Sequence, residues 1–346
     1  MPQSRVTLRD VAQRAGVTPM TASRALRNQP NVAPATRDLV FAAAEELDYH
    51  MDPHLSRLMS RVRSKKQRPI QAVIAVLRED PPGENFPGQP YRFVPLDFIR
   101  ERARSHGFEV EEFWLGRDGL TPEKTRRILR ARGIEAVIVS PQSEQLPCSQ
   151  FDYSGFAAAT FGFAMSKPSL HTAATNLHLG IQIATEELMA RGYRRIGLAV
   201  TEWLDSRVQN GYRSGLYLHH QRIREQDRVP LLMFPEKSVA HGFGRFRAWF
   251  ETHRPDVILS FDRHVPGWLE QRLGLRIPED MGFVVHDLTD ESPRFAGLDH
   301  RRDELARAAV DLVTTQLQQF ESGVPETPRQ ILIPPRWVVG PSVRPV

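Results

Sequence analysis

The residues of this 346-residue chain whose types and spacing could do chemistry are arranged for recognition, and none of them forms a catalytic constellation. Gly211 to Gly215, GYRSG, looks like a nucleophile elbow, but its serine stands one place late for Gly-x-Ser-x-Gly and lies in a predicted helix. His219 and His220 are adjacent, so they diverge around a helix instead of converging on a metal. The sequence holds no Gly-x-x-x-x-Gly-Lys phosphate loop, no Gly-x-Gly-x-x-Gly and no His-Glu-x-x-His. The expectation is therefore a protein with no catalytic residue, no metal site and no cofactor. Near the N-terminus, by contrast, Met20, Thr21, Ser23, Arg24 and Arg27 fall on the outer face of one short predicted helix. Polar and long side chains so placed meet base edges and phosphates.

The element that must carry them is Val6 to Arg27, VTLRDVAQRAGVTPMTASRALR, which reads as two helices joined by a tight turn. Leu8, Val11, Ala12 and Ala15 recur at helical spacing, and Gly16 supplies the left-handed residue that ends the first helix. Thr18 offers a hydroxyl to cap the second helix, and Pro19 fits its first position, where no N–H is needed. Ala22, Ala25 and Leu26 form its buried face. The bland alternative is a helical hairpin inside a larger core. Agreement of turn, cap, small residues and arginines favours a helix-turn-helix aimed at DNA. A third helix from Ala35 to Leu47 closes a three-helix headpiece over residues 1–50.

Charge distribution agrees. The net charge is +5, and residues 1–68 hold twelve Lys/Arg against six Asp/Glu, while the rest holds 34 against 35. The positive excess sits where phosphates would be bound. A single cysteine, Cys148, permits no intrachain disulfide and reads as a small buried side chain. With no eighteen-residue apolar run and no signal-peptide core, the expectation is a cytoplasmic protein without a membrane span.

Residues 51–69 form a basic segment with apolar Leu55, Leu58, Met59 and Val62. It is either a solvated linker or a short helix that folds on DNA, with Leu55 or Leu58 wedged into a minor-groove step. From Ile70 strands alternate with helices: AVIAVL, FEVEEFWL, AVIVS and FAAATFG, then RIGLAV, VPLLMF, DVILSF and MGFVVH. Helices are expected between them, including Val208 to His220 and, last, Asp303 to Phe320. Such alternation implies parallel sheets covered on both faces. Two lobes fit the count across residues 70–346, and such pairs bind a small ligand at the carboxyl ends of their strands.

At this point the sequence resembles the lac repressor (LacI/GalR) family of bacterial transcription regulators. VTLRDVAQRAGVTPMTASRALRN followed by VAPATRDLVFAAAEELDY is close to its N-terminal signature, and ELMARGYRRIGLAV, SRVQNGYRSGL and RIPEDMGFVVHD extend a looser likeness. The resemblance implies an α/β protein with an N-terminal all-α headpiece: a helix-turn-helix domain, a hinge, and a two-lobed periplasmic-binding-protein-like core. It implies a homodimer on double-stranded operator DNA, with a small effector, of carbohydrate type, in the cleft. Pro19 and Met20 fall at the base-reading pair, Thr18, Thr21, Ser23 and Asn31 at phosphate-contact positions, Arg24 at a family arginine and Leu58 at the minor-groove leucine. Thr7 joins this DNA-contacting set.

In the cleft, Arg207 matches a ligand-holding arginine, Asp287 the acid at a late strand end, and Asp262 an acid after the preceding strand. A cation beside the N-terminus of the predicted helix would want an anionic or polar partner, which suits Arg207. Asp262 could equally cap the following helix. Phe86, Tyr91, Trp203, Phe261 and Trp268 lie near expected cleft loops, where rings stack on sugar faces. The sequence departs from the resemblance in three places. Met51 to Leu58 lacks the hinge's usual small residue, Val285-His286-Asp287-Leu288 replaces Gly-Phe-Asp-Asp, and Thr175-Asn176 replaces Asp-Asn. The rival readings are a DNA-binding regulator whose lobes only dimerise or hold a protein partner, and an enzyme fused to a headpiece.

Overall fold

The computed structural model describes residues 7–26, 32–47, 49, 72–78, 94–116, 119–140, 147–163, 165, 167–235, 242–262, 264–288 and 294–346. It divides into two compact units, Met1–Ile70 and Gln71–Val346.

In the first unit α1 (Leu8–Arg14), α2 (Pro19–Leu26) and α3 (Pro34–Glu46) enclose a small core of Val11, Ala12, Ala22, Ala25, Val40, Ala43 and Ala44. The residues are small because the helices are short and must approach closely to bury anything. Gly16 sits between α1 and α2 at φ +66°, a conformation that a Cβ would strain. The Thr18 hydroxyl accepts the Thr21 N–H at 3.2 Å, capping α2, and Pro19 opens the helix. At the start of α1 the Thr7 N–H and hydroxyl both donate to the Asp10 carboxylate, each at 2.7 Å.

Among the described residues, the second unit holds two six-stranded sheets. β1 (Ala72–Arg78), β2 (Phe108–Trp114), β3 (Ala136–Val139), β4 (Ala157–Phe161) and β5 (His171–Thr175) alternate with α4 (Leu96–Ser105), α5 (Pro122–Ala131) and α6 (Pro147–Gln150). The chain then crosses to the second sheet. There β6 (Ile196–Thr201), β7 (Leu232–Phe234), β8 (Val257–Ser260), β9 (Gly282–Val285) and β10 (Ala296–Asp299) alternate with α7 (Leu177–Ala190), α8 (Glu202–Arg207), α9 (Gly211–Arg222), α10 (Phe243–His253) and α11 (His264–Gly267), which runs on into a π-helical turn, Trp268–Arg272. After β10 it crosses back as α12 (Arg302–Gln319) and β11 (Gln330–Ile333), then once more to β12 (Arg336–Val338). The orders are β11-β5-β4-β3-β1-β2 and β12-β10-β9-β8-β6-β7. Among the described residues the pairings are parallel except β10 with β12. Central strands such as β3 and β4 are buried along their whole length, as sheets covered on both faces require.

Three features differ from the sequence expectation. The expected helix Val208 to His220 starts only at Gly211, as α9, and a separate helix, α8, precedes it; Gln209 and Asn210 between the two both take φ 58°, a left-handed conformation that asparagine tolerates better than most residues. The strands β5, β10, β11 and β12 are not apparent from the sequence, being three to five residues long and, in HTAAT and AGLD, poor in large apolar side chains. The last long helix belongs to the first lobe and not to the second: Leu305, Ala306, Ala309 and Val313 share a core with Ile74, Ala136 and Ala159. GYRSG lies in helix α9, as expected, and packing explains its second glycine, because a Cβ on Gly215 would come within 2.7 Å of Ile181 Cβ and 3.0 Å of the His178 carbonyl. The glycine lets α7 and α9 touch.

Candidate functional site

In the headpiece, α2 presents Met20, Thr21 and Arg24 on the side away from the helical core; Met20 is 57% exposed although large and apolar. Thr18 and Pro19 are exposed at its start, and the Thr18 and Thr21 hydroxyls lie 2.9 Å apart. Ser23 departs from the expectation of an outward side chain, being 7% exposed. At about 100° per residue it falls beside Leu26 and Ala22 on the inner arc, and a hydroxymethyl is small enough to fit there. Thr7 has a local structural duty through Asp10, whose carboxyl these bonds hold below its usual pKa. Arg27, Asn31, Leu55 and Leu58, the whole segment 51–69, and Phe86 and Tyr91 lie outside the described residues.

In the second unit one cavity of about 200 Å³ is lined from both sheets, at the carboxyl ends of their strands. The first lobe contributes Ser140 after β3, Phe161 and Phe163 at the end of β4, and Thr175 at the end of β5. The second contributes Trp203 and Arg207 from α8, Tyr212 from α9, Phe261 after β8 and Asp287 after β9. His300 and Arg302 come from the crossing between β10 and α12. The aromatic rings of Phe, Trp and Tyr, with a few charged and hydroxyl groups, make a wall suited to a small molecule that has flat apolar faces and polar edges.

Arg207, Trp203, Phe261 and Asp287, separated by up to 84 positions, are thus brought together. Arg207 lies with its guanidinium carbon 4.8 Å from the centroid of the Trp203 ring, an arrangement that fixes the cation over an aromatic face. It is the last residue of α8 and not a helix start, so the electrostatics run opposite to the sequence argument. A cation is favoured at a helix C-terminus. Asp262 is not among the lining residues. Its Oδ1 accepts the His264 N–H at 2.8 Å and lies 2.6 Å from His264 Nδ1, so it caps the start of α11, the alternative that an acid before a helix always carries. Trp268 is core, packed among Phe234, Phe243 and Phe246.

Behind the cavity wall, His286 has no solvent exposure. Its Nδ1 is 3.3 Å from the Tyr212 hydroxyl, and the Phe261 ring stacks on it at 5.0 Å. Burial, reinforced by His300, pushes its pKa down to about 3, so the ring is neutral at physiological pH. Asp287 accepts from Arg302 Nη2 at 2.7 Å, with His300 Nδ1 3.4 Å away. Asp205 is fully buried beneath α9, accepting the N–H groups of Tyr212 (3.1 Å) and Arg213 (3.2 Å) and pairing with the Arg213 guanidinium. It sets Tyr212 against the cavity.

Residues 7–52 match the lacI family of bacterial regulatory proteins, and residues 185–343 match the periplasmic binding protein-like domain. The chain is 50% identical to the HTH-type transcriptional regulator GntR of Pseudomonas aeruginosa over 343 residues, 89% of this chain and 88% of that protein. The chain belongs to the lacI family. Among solved lacI-family structures, the lac repressor dimer bound to operator and the anti-inducer ONPF is similar in fold, with TM-score 0.55 and 22% identity over 99% of this chain and 100% of that one. A complex of the transcriptional regulator CelR with cellobiose matches with TM-score 0.56 and 18% identity over 98% of this chain and all of that one.

Within this lacI-family chain, Tyr212, His300 and Arg302 in the cavity wall and His286 behind it are not marked as site residues by the sequence. The segment Val285 to Leu288 departs from Gly-Phe-Asp-Asp, and that departure was the available signal for His286. His300 and Arg302 carried none, because a basic residue before a helix is common and only the crossing of the chain brings them to the cleft. Among the described residues no helix is long and apolar enough to cross a membrane.

Proposed function

We propose that this lacI-family chain is a transcriptional repressor that acts as a homodimer in the cytoplasm. In this reading α2 enters the major groove of double-stranded operator DNA, with residues 51–69 serving as the hinge on that DNA. A small carbohydrate or carbohydrate derivative in the cavity changes operator affinity, and the chain performs no covalent chemistry. The observation that carries the reading is the convergence of Arg207, Trp203, Phe261 and Asp287, from separate segments, on one cavity at the strand ends of both lobes. Aromatic rings cover the faces of a pyranose or furanose while charged groups meet its hydroxyls. The polar, exposed outer face of α2 supports the DNA half of the reading, as does the operator-bound relative. The cellobiose complex of another family member supports the choice of ligand class.

The test uses the full-length protein. Operator sequences are selected from a random duplex pool, and calorimetry is run against a panel of sugars, sugar phosphates and sugar acids. One class is expected to release heat and to shift operator affinity by roughly 5- to 150-fold, the range of a 1–3 kcal/mol coupling. Selected DNA with no heat from any ligand would support lobes that serve dimerisation or a protein partner instead. Failure to select any sequence would overturn the whole reading.

A further inference from the structure

Helix α12 is tied to both lobes, and by different ends. Its body is fastened to the first lobe, where Gln316 donates to the Ala158 carbonyl at 3.1 Å and accepts the Ala158 N–H at 3.0 Å. Asp311 takes two 2.8 Å bonds from Arg102 of α4. Its first residue grips the second lobe. Arg302 Nη2 donates to Asp287 Oδ1 at 2.7 Å, and Nη1 donates to the Leu288 carbonyl at 3.1 Å. His300, two residues before the helix, has Nε2 2.7 Å from the His286 carbonyl. The side chains of Asp287, His300 and Arg302 are only 10%, 12% and 15% exposed, yet all three line the cavity.

We propose that Arg302 is a positioning residue for this cavity: by holding Asp287 it sets the angle between the lobes, and through Asp287 it passes ligand occupancy to α12. The argument is mechanical and electrostatic. Asp287 rides on the second lobe just beyond β9, whereas α12 is anchored in the first-lobe core, so any hinge motion at this crossing must stretch the pair. Charge-assisted hydrogen bonds between nearly buried groups resist stretching more than surface ion pairs do. A ligand hydroxyl that donates to Asp287 competes with Arg302 for the same carboxylate. The ligand is then read as a change in the grip on the helix, which is how two packed arrangements become coupled to a bound molecule.

Naming the ligand's part rests on the proposed function, but the lobe-angle claim is tested with no ligand present. Spin labels are placed through Arg127→Cys on the first lobe and Gln221→Cys on the second, both exposed positions; Cys148 is buried and stays in place. Distances are read by double electron–electron resonance in the full-length protein. Arg302→Gln is expected to move or broaden the distance distribution by about 2 Å or more, the scale of a domain rearrangement. Asp287→Asn should produce the same change, the double variant no further change, and Arg302→Lys a return toward the original distribution. An unaltered distribution in Arg302→Gln, or single changes that simply add in the double variant, overturns the proposal. If Arg302→Gln does not fold, Asp287→Asn and Arg302→Lys decide it on the same criteria. An absence of any effector in calorimetry would sink the functional reading and leave this result standing.

Discussion

The Tyr212 hydroxyl lies 3.3 Å from Nδ1 of His286, a ring sealed from solvent between Tyr212 and Phe261. Burial holds His286 down to about 3 from its ordinary 6.5, so the unfolded chain takes up this proton at a higher pH than the folded one. The stabilisation is therefore complete above pH 6.5 and is lost progressively as pH falls toward 3. At pH 5 the loss from this one group amounts to about 2 kcal/mol, from ~1.36 kcal/mol per pH unit. Urea unfolding at pH 7 and pH 5 should show wild type losing stability on acidification, and His286→Phe, which keeps a ring in the stack, losing less by about that amount. Equal losses in the two proteins would show that His286 is not the group responsible.

Gln316 is the second buried polar anchor, bonded to both the N–H and the carbonyl of Ala158 and, at 3.1 Å, to the Leu312 carbonyl. Gln316→Leu leaves the buried Ala158 peptide groups without these bonds. The expected cost is about 1–3 kcal/mol for each group left unsatisfied. Thermal unfolding of the variant should fall by several degrees, whereas an unchanged melting temperature would mean that β-ladder bonds or water replace the amide.

Arg24 projects from the exposed side of α2. Arg24→Ala should weaken binding to the selected operator more than binding to a scrambled duplex, because a base contact carries about 1–3 kcal/mol of discrimination. Fluorescence anisotropy on both duplexes over a range of salt concentrations measures the difference. Equal losses on the two DNAs would assign Arg24 to phosphate alone.

Arg207 stacks on Trp203 in the cavity wall. Arg207→Ala should reduce effector affinity roughly 10- to 150-fold, the equivalent of about 1.5–3 kcal/mol for a hydrogen bond from a charged group. The operator affinity should then stop responding to the effector. Calorimetry reads the first effect and anisotropy the second. A lowered melting temperature with unaltered effector affinity would make Arg207 a packing residue.

Asp262→Asn provides a contrast within the same loop system. Its carboxylate is engaged by His264 and does not line the cavity, so effector affinity should change by less than about 0.5 kcal/mol, the usual range for substitutions away from a site. A loss as large as that of Arg207→Ala would return Asp262 to the binding wall.

Where structure is set by neighbours in sequence, the chain could be read directly. Gly16 at the turn, Thr18 and Pro19 at the start of α2, the 3.6-residue spacing of Val11, Ala12 and Ala15, and the buried runs that became β1, β3, β6 and β8 all act over a few residues. These local rules sufficed for the headpiece and the two α/β lobes. They could not place Ser23 inward, because that depends on how α2 meets its neighbours. Nor could they end a helix at Arg207, since the break at Gln209 and Asn210 is held by the buried Asp205 beneath α9. Above all, the crossing of α12 into the first lobe, and with it the meeting of Arg302 and His300 with Asp287, depends on contacts between segments distant in the chain. Periodicity records which face of an element is buried. The partner it is buried against emerges only when the whole core is packed.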